Sequence, residues 1–355
     1  MSLHVSSEKT PADQSSALLR VDPLAPHWSN SLADFPDATI FHTSEWARVL
    51  IDSYGYTPYY FAGQQAGRPV RICLFEIDSW LTGKRAVSVP FSDEAPLLGK
   101  LTSSELHQVL HEIATTAQQE HWKTIEVRGA PNDWDANTSN RYYSHDLDLS
   151  VGKEKLLENF HDSVRRAIRK AERSAVQVEI RQDEAAVQEY FELHCLTRKK
   201  HGVPPQPLNF FKNIHQHLIS SGLGFTALAK LNQQTVAAAI FLRFGTKALY
   251  KFGASNPKFD SFRPSNMVMW KAIEHLVETG AKTLSFGRTD LHQDGLRRYK
   301  LGWGTTEKML SYLKYDPRND TFLSSKADLA SNTLARFLPV FLLKRVGAAL
   351  YRHVG

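Results

Sequence analysis

"SNMVMWKAIEHLVETGAKTLSFG" occupies residues 265–287. Its apolar residues recur at helical spacing up to Gly280, the residue type expected just past a helix C-terminus. KTLSFG (282–287) then alternates like a strand. A helix that feeds directly into a strand is the second part of a crossover unit, so the fold turns on what precedes it. Three strand-like runs do: GFTALAKL (224–231), TVAAAIFLRF (235–244) and KALYKFGAS (247–255). The same order occurs upstream. TPYYFAG (57–63), PVRICLFEI (69–77) and RAVSVPF (85–91) lead to a helix opened by Ser103 and Ser104, with Leu106, Val109, Leu110 and Ile113 as its stripe. The strand KTIEVRG (123–129) follows, and like KTLSFG it begins Lys-Thr and closes on glycine. The sequence therefore predicts two copies of one α/β unit. An alternating strand, YYSHDLDL (142–149), follows the first copy, and a helix capped by Ser44 precedes it at 44–53.

The 355 residues suit two domains of about 150 residues each, and 42% apolar with 23% charged residues is an ordinary globular balance. A net charge of +6 favours anionic partners without choosing among phosphates, nucleic acid and acidic lipid. Two cysteines, Cys73 and Cys195, give neither a disulfide framework nor a metal set and point to a reducing compartment. Residues 1–20 read as a disordered polar leader without an apolar signal region, and no run is long enough to span a bilayer. These features predict a cytoplasmic protein.

Between the copies, KEKLLENFHDSVRRAIRKAERS (153–174) predicts a helix with Leu156, Phe160, Val164, Ile168 and Ala171 on one face. Its other face carries Arg165, Arg169 and Arg173 at four-residue spacing, with Arg166 and Lys170 beside them. So dense a basic face is either a solvated surface or one that meets a polyanion. A second helix is expected from about Asp183 to His201. The tail LARFLPVFLLKRVGAALYRHVG (334–355) is basic, amphipathic and free of acids. It suits either docking on the protein's own core or lying on an anionic membrane surface.

No phosphate-binding G-x-x-x-x-G-K-[ST] loop, G-x-G-x-x-G fingerprint, G-x-S-x-G elbow or H-E-x-x-H helix is present. His107 and His111 lie four apart but lack a third ligand in sequence, and Cys195 beside His194 reads as a buried thiol. The expectation is chemistry by binding and positioning, with no metal and no tightly bound cofactor. In KFGASNPKFDSFRPSN (251–266), Arg263 stands at a helix start where Ser265 or Asn266 could cap, a ready anion site. In FGRTDLHQDGLRRYKLGWG (286–304), Gly287 allows a tight exit from the strand and an Arg-Thr-Asp turn, placing Arg288 and Asp290 where open α/β sheets bind ligands. A basic helix leads on to Lys300, ahead of Gly302 and Gly304, whose missing side chains would admit a ligand to the backbone.

Taken together, "SVRRAIRKAER", "HGVPPQPLNFFKNI", "LYKFGASNP", "RPSNMVMWKAIEHLVETGAKTLSFGRTD" and "GLRRYKLGWGTTEKMLSYL" resemble FemAB-type proteins, over roughly residues 40–315 and most strongly over 160–315. That resemblance implies mixed sheets in two tandem GNAT-like acyltransferase domains with a helical insert and an amphipathic tail. The divisions would be a leader at 1–20, domains at 21–150 and 151–315, and a tail at 316–355. It also implies transfer of an acyl or aminoacyl group from acyl-CoA, acyl-carrier protein or aminoacyl-tRNA to an amine, in peptidoglycan or exopolysaccharide metabolism, with RNA as a partner only for a tRNA donor. Lys300 matches the lysine of the family's Lys-x-Gly-φ-Gly signature, associated with phosphate and transition-state charge. Tyr250 matches a pocket-lining tyrosine of the second domain. Asp290 joins them as a catalytic candidate; Arg263, Asn266, Arg288, Gly302, Gly304, Arg165 and Arg169 are candidates for substrate binding. The helical-hairpin arm of members that build pentaglycine bridges is not visible. A different class stays open: a silent binding protein of envelope or polysaccharide assembly, docked at the membrane by its tail.

Overall fold

The computed structural model describes residues 18–80, 82–131, 134, 138–324 and 339–354. In the first half, strands β1 (Leu19–Val21), β2 (Thr57–Gln65), β3 (Arg68–Ser79) and β4 (Gly83–Ser88) form an antiparallel run. Helices α1 (Trp28–Ser31) and α2 (Ser44–Tyr54) lie within that run, and α3 (Ser103–Gln119) leads from β4 to β5 (Ile125–Arg128). β4 and β5 pair in parallel, as a helical crossover permits. β6 (Asn140–Asp148), α4 (Lys153–Asn159), α5 (Asp162–Arg173), β7 (Gln177–Arg181), α6 (Glu184–His201) and α7 (Leu208–Ile214) follow. The second copy is β8 (Gly224–Leu231), β9 (Gln234–Phe244) and β10 (Lys247–Ser255), then α8 (Pro264–Glu278) and β11 (Thr283–Asp290), with β10 parallel to β11. The chain continues through α9 (Asp294–Leu301), β12 (Thr306–Asp316), β13 (Thr321–Phe322) and α10 (Val340–Val354).

The repeat is thus present as two matching crossovers, one around α3 and one around α8. They join in one mixed sheet, ordered β1-β2-β3-β4-β5-β12-β6-β11-β10-β9-β8-β7. The middle of the sheet exchanges strands. β6, which follows the first copy in sequence, pairs with β11 of the second, whereas β12, from the end of the second, pairs with β5 of the first. The β6–β12 pairing closes the seam.

Periodicity and capping explain the helices. Thr102 accepts from the Glu105 amide while the Glu105 carboxylate accepts from the Thr102 amide, so Thr102 caps α3, which opens at Ser103 as expected. Thr43, not Ser44, caps α2. In α8 the start is Pro264; Ser265 and Asn266 lie inside the first turn, and neither caps. Its buried face (Met267, Val268, Trp270, Ile273, Leu276) packs against β8–β10 and α5, so truncating Leu276 to alanine would cost about 2–5 kcal/mol.

The helix expected over 153–174 is two helices. At Phe160 the backbone becomes extended, because the His161 amide donates to Gly302 O at 2.9 Å and its ring accepts from Ser163 N to start α5 afresh. All five residues of the expected stripe are still buried. The Arg-Thr-Asp stretch is not a turn, because β11 runs through Asp290. The leader falls outside the described residues up to residue 17, and Leu19 and Arg20 belong to β1. Of the tail, residues 325–338 and 355 likewise lie outside; α10 packs on β3 and α6.

Candidate functional site

The two parallel strands that end the crossovers differ at one point. β11 carries a register shift between Ser285 and Arg288, a bulge that requires Gly287 at φ +68°. A side chain at Gly287 would place its Cβ 3.2 Å from the Asp93 carboxyl. The bulge turns two carbonyls out of the sheet ladder, and the Lys300 ammonium satisfies both, at 2.8 Å to Gly287 O and 2.9 Å to Arg288 O. Lys300 is 3% exposed. Burial draws its pKa down to about 8, against the pull of Asp93 and Asp290. An ammonium has three protons; two are engaged here.

On the far side of the same bulge lies a cavity of about 830 Å³. Gly287 and Arg288 line it with the acids Asp37, Asp93, Glu94 and Asp146 and the cations Lys100, Lys247 and Lys308. Asp93 is the electrostatic centre. Its carboxylate takes a bond from the buried Lys251 ammonium at 3.0 Å. Burial works against its charge, but Lys251, Arg288 and Lys300 outweigh it and hold Asp93 below the usual carboxylate range. Lys251 is lowered by burial and by Arg288 and Arg128, with Asp93 opposing. Arg288 donates to Tyr312 Oη at 2.8 Å and lies 4.5 Å over the Tyr142 ring, which leaves it oriented by aromatic faces. Glu94 opens to the cavity; burial and the neighbouring Asp146 raise its carboxyl.

Tyr250 stands on β10 beside this bulge, its ring 6.1 Å from Phe286, which in turn lies 6.4 Å from Trp303 at the end of α9. Burial pushes its phenol up to about 12, so it is a proton donor at neutral pH. A Cβ on Gly253 would fall 1.8 Å from the Tyr250 hydroxyl, so that glycine is the seat of the phenol.

Of the expected site residues, the structure brings together Lys300, Arg288 and Asp290 around the end of β11, with Tyr250 on the adjoining strand. Lys300 holds the backbone that lines the cavity but does not itself line it. Gly302 faces Val164 of α5, with its would-be Cβ at 3.1 Å, so its missing side chain admits that helix rather than a ligand. Gly304 turns the chain at φ +71°. Arg263 is exposed and Asn266 half-buried at the start of α8, away from the cavity lining. Arg165 is engaged by Asp162 and by Glu158 O, while Arg169 is exposed on α5. Asp320 reaches both His107, at 2.8 Å, and His111, at 3.4 Å, but among the described residues no group is placed to hold a metal. Cys195 is buried with its thiol pushed up to about 11, the state of an inert thiol.

The sequence reading missed Asp93, Lys251 and Tyr312. Two of them left a signal. Lys251 interrupts the apolar run of LYKFGAS, and Asp93–Glu94 form an acidic pair between Ser92 and Ala95–Pro96 at a strand exit.

Residues 158–301 match the family model "Acetyltransferase (GNAT) domain". Over 76 residues the chain is 33% identical to the Lipid II:glycine glycyltransferases of Staphylococcus haemolyticus and Staphylococcus aureus. It spans about a fifth of the length of these relatives (18%), and the match takes in 20% of the chain itself. Among solved structures, the crystal structure of FemX superposes with a TM-score of 0.66 at 15% identity, covering 83% of this chain and 96% of that one. The tandem GNAT protein from the clavulanic acid biosynthesis pathway gives 0.53 at 11%, covering 85% and 99%. At these identities the two superpositions speak for the fold.

Proposed function

We propose that this chain, which belongs to the FemAB-like branch of the GNAT family, moves an acyl or aminoacyl group from an activated carrier to an amine in cell-envelope metabolism. One observation carries the reading. A buried ammonium with a proton to spare sits directly behind a cavity whose walls carry both carboxylates and cations.

Such a cavity suits an acceptor that bears an amine and an anionic group. Asp93, held ionised, is suited to receive the ammonium form of the acceptor, and Arg288 and the cavity lysines its anionic end. Glu94, whose carboxyl is raised by burial and by Asp146, takes the proton that frees the amine. The amine nitrogen attacks the carbonyl carbon of the donor ester or thioester, and its lone pair forms the new C–N bond. From behind the bulge, the buried Lys300 charge holds Gly287 O and Arg288 O in place and favours negative charge at the adjoining cavity wall, where the oxyanion or a donor phosphate develops. The carbon–oxygen or carbon–sulfur bond then breaks, and Tyr250, protonated below about 12, supplies a proton toward the leaving group. Arg263, Asn266, Arg165 and Arg169 belong to this reading only as an outer basic surface for a large carrier, RNA if the carrier is a tRNA. A cytoplasmic setting with contact at the membrane face completes it. In this reading the two units divide at residue 150 and share the strands of the seam.

The test is transfer itself. The purified chain is incubated with labelled acyl-CoA, acyl-carrier protein or aminoacyl-tRNA and with amine acceptors that carry a phosphate or carboxylate. Label should pass to the amine with one carrier class and be lost in Arg288→Met. An absence of transfer from every carrier would refute the reading.

A further inference from the structure

We propose that the outer flank of α10, together with Trp80, is a docking surface for a lipid bilayer rich in anionic headgroups. This sharpens the membrane contact named above, and it holds whether or not the chain transfers acyl groups.

The helix is half docked. Leu343, Gly347 and Tyr351, spaced four apart, face the protein. Leu343 is buried, a Cβ on Gly347 would meet Pro205 O at 2.0 Å, and Tyr351 Oη donates to Pro204 O at 3.1 Å. Arg198 donates to Tyr351 Oη, and Arg85 ties down the carbonyls of His353 and Val354. The helix is therefore anchored at several points and has no need of its remaining apolar residues for attachment.

Those residues form a second row at the same four-residue spacing. Leu342, Val346, Leu350 and Val354 are 37–59% exposed, with Phe341 beside them. At 1.5 Å per residue the row is about 18 Å long. Trp80, at the β3–β4 hairpin, extends it: it is 78% exposed and its ring lies 6.4 Å from that of His353. Contiguous apolar surface of this kind on a soluble face marks an interaction site.

Charge selects the occupant. Residues 339–354 contain no acid, and the exposed Arg345 and Arg352 border the apolar row on its outward side, while Lys344 turns back over the Phe191 ring. Of the two acids on the adjoining hairpin, Glu76 is paired with Lys84 at 3.2 Å and Asp78 stands at the strand end. An apolar row flanked by arginines, with a tryptophan at its rim, matches the boundary between headgroups and acyl chains. A two-fold pairing with a second copy would instead oppose the arginine rows of both chains. No helix among the described residues is long and apolar enough to cross a membrane, so the helix would lie on the surface.

The test uses the full chain and sedimentation with vesicles, either phosphatidylcholine alone or one-third phosphatidylglycerol. The wild type should co-sediment with the anionic vesicles at least tenfold better than with the neutral ones, and added salt should weaken the binding. Trp80 emission should shift to the blue on binding, a signal absent in Trp80→Phe. Val346→Glu/Leu350→Glu and Arg345→Glu/Arg352→Glu, checked for an unchanged thermal midpoint, should each lose at least tenfold in partitioning. The proposal falls if the wild type ignores anionic vesicles or the double variants bind equally well. It falls equally if the variants only dissolve a wild-type dimer.

Discussion

The two crossovers are one design used twice, and they differ at the strand that closes each. In the first, β5 is four residues long, and its Arg128 is consumed within the fold by Glu126 and by Ser92 O. In the second, β11 is eight residues long and bulged, and its two displaced carbonyls hold a buried lysine that has one proton left over among the described residues. The unit itself therefore carries no chemistry. One extra residue of backbone, made tolerable by Gly287, sets the strand of the candidate site apart from the scaffold strand.

The comparison breaks most visibly at Lys300. Lys300→Met keeps the stem and removes the charge. It should lower the rate of transfer by about 10²-fold, the low end of the loss for a missing oxyanion-stabilising group, measured by single-turnover label transfer. A charge removed at the closing strand of the first copy, Arg128→Met, should destabilise the chain in urea while leaving transfer per folded molecule within a few-fold of wild type. Equal losses of transfer in both would erase the difference between the copies.

Next in size is Asp93→Asn. It leaves Lys251, whose side chain is 6% exposed, without its carboxylate. Breaking a buried pair from one side costs about 3–5 kcal/mol, somewhat less here because Asp93 borders the cavity, and denaturant midpoints would measure it. Gly253→Ala is subtler. The new methyl occupies the position of the Tyr250 hydroxyl, so transfer should fall about tenfold, as expected for a misplaced proton donor, with a far smaller change in melting temperature. Recovery of the rate in Gly253→Ala/Tyr250→Phe would show that the phenol merely fills space.

The smallest effect is one of pH. Lys300 titrates near 8 in the folded chain against 10.5 for a free lysine, so the unfolded chain binds more protons between those values. This group's contribution to stability therefore rises as pH climbs through that window. Transfer that depends on the protonated lysine moves the opposite way and declines above about pH 8. Lys300→Arg, if it folds natively, should carry the falling limb to higher pH, since a guanidinium stays charged.

Much of the fold was legible because periodicity is local. Both helices of the crossovers and the strands beside them were written in apolar spacing, and Gly280 marked the end of α8 at φ +83°. The exchange of β6 and β12 was not, since pairing partners depend on contacts far apart in sequence. The break at Phe160 was hidden for the same reason: its cause is Gly302, remote in the chain. At the candidate site, Lys300, Arg288 and Tyr250 were named from glycines and family likeness, and the structure sets them around one bulge. Asp93 and Lys251 come from opposite halves, and neither means much until the fold sets the one 3.0 Å from the other.

The most direct test is to follow the Lys300 ammonium itself. Lysine labelled with carbon-13 at Cε and assigned through Lys300→Arg would be titrated by NMR, free and with the deacylated carrier, tried as coenzyme A and as uncharged tRNA. The account predicts a midpoint near 8 in the free chain, moved upward by the carrier that serves as donor. A midpoint at the value of a free lysine, indifferent to every carrier, would contradict it.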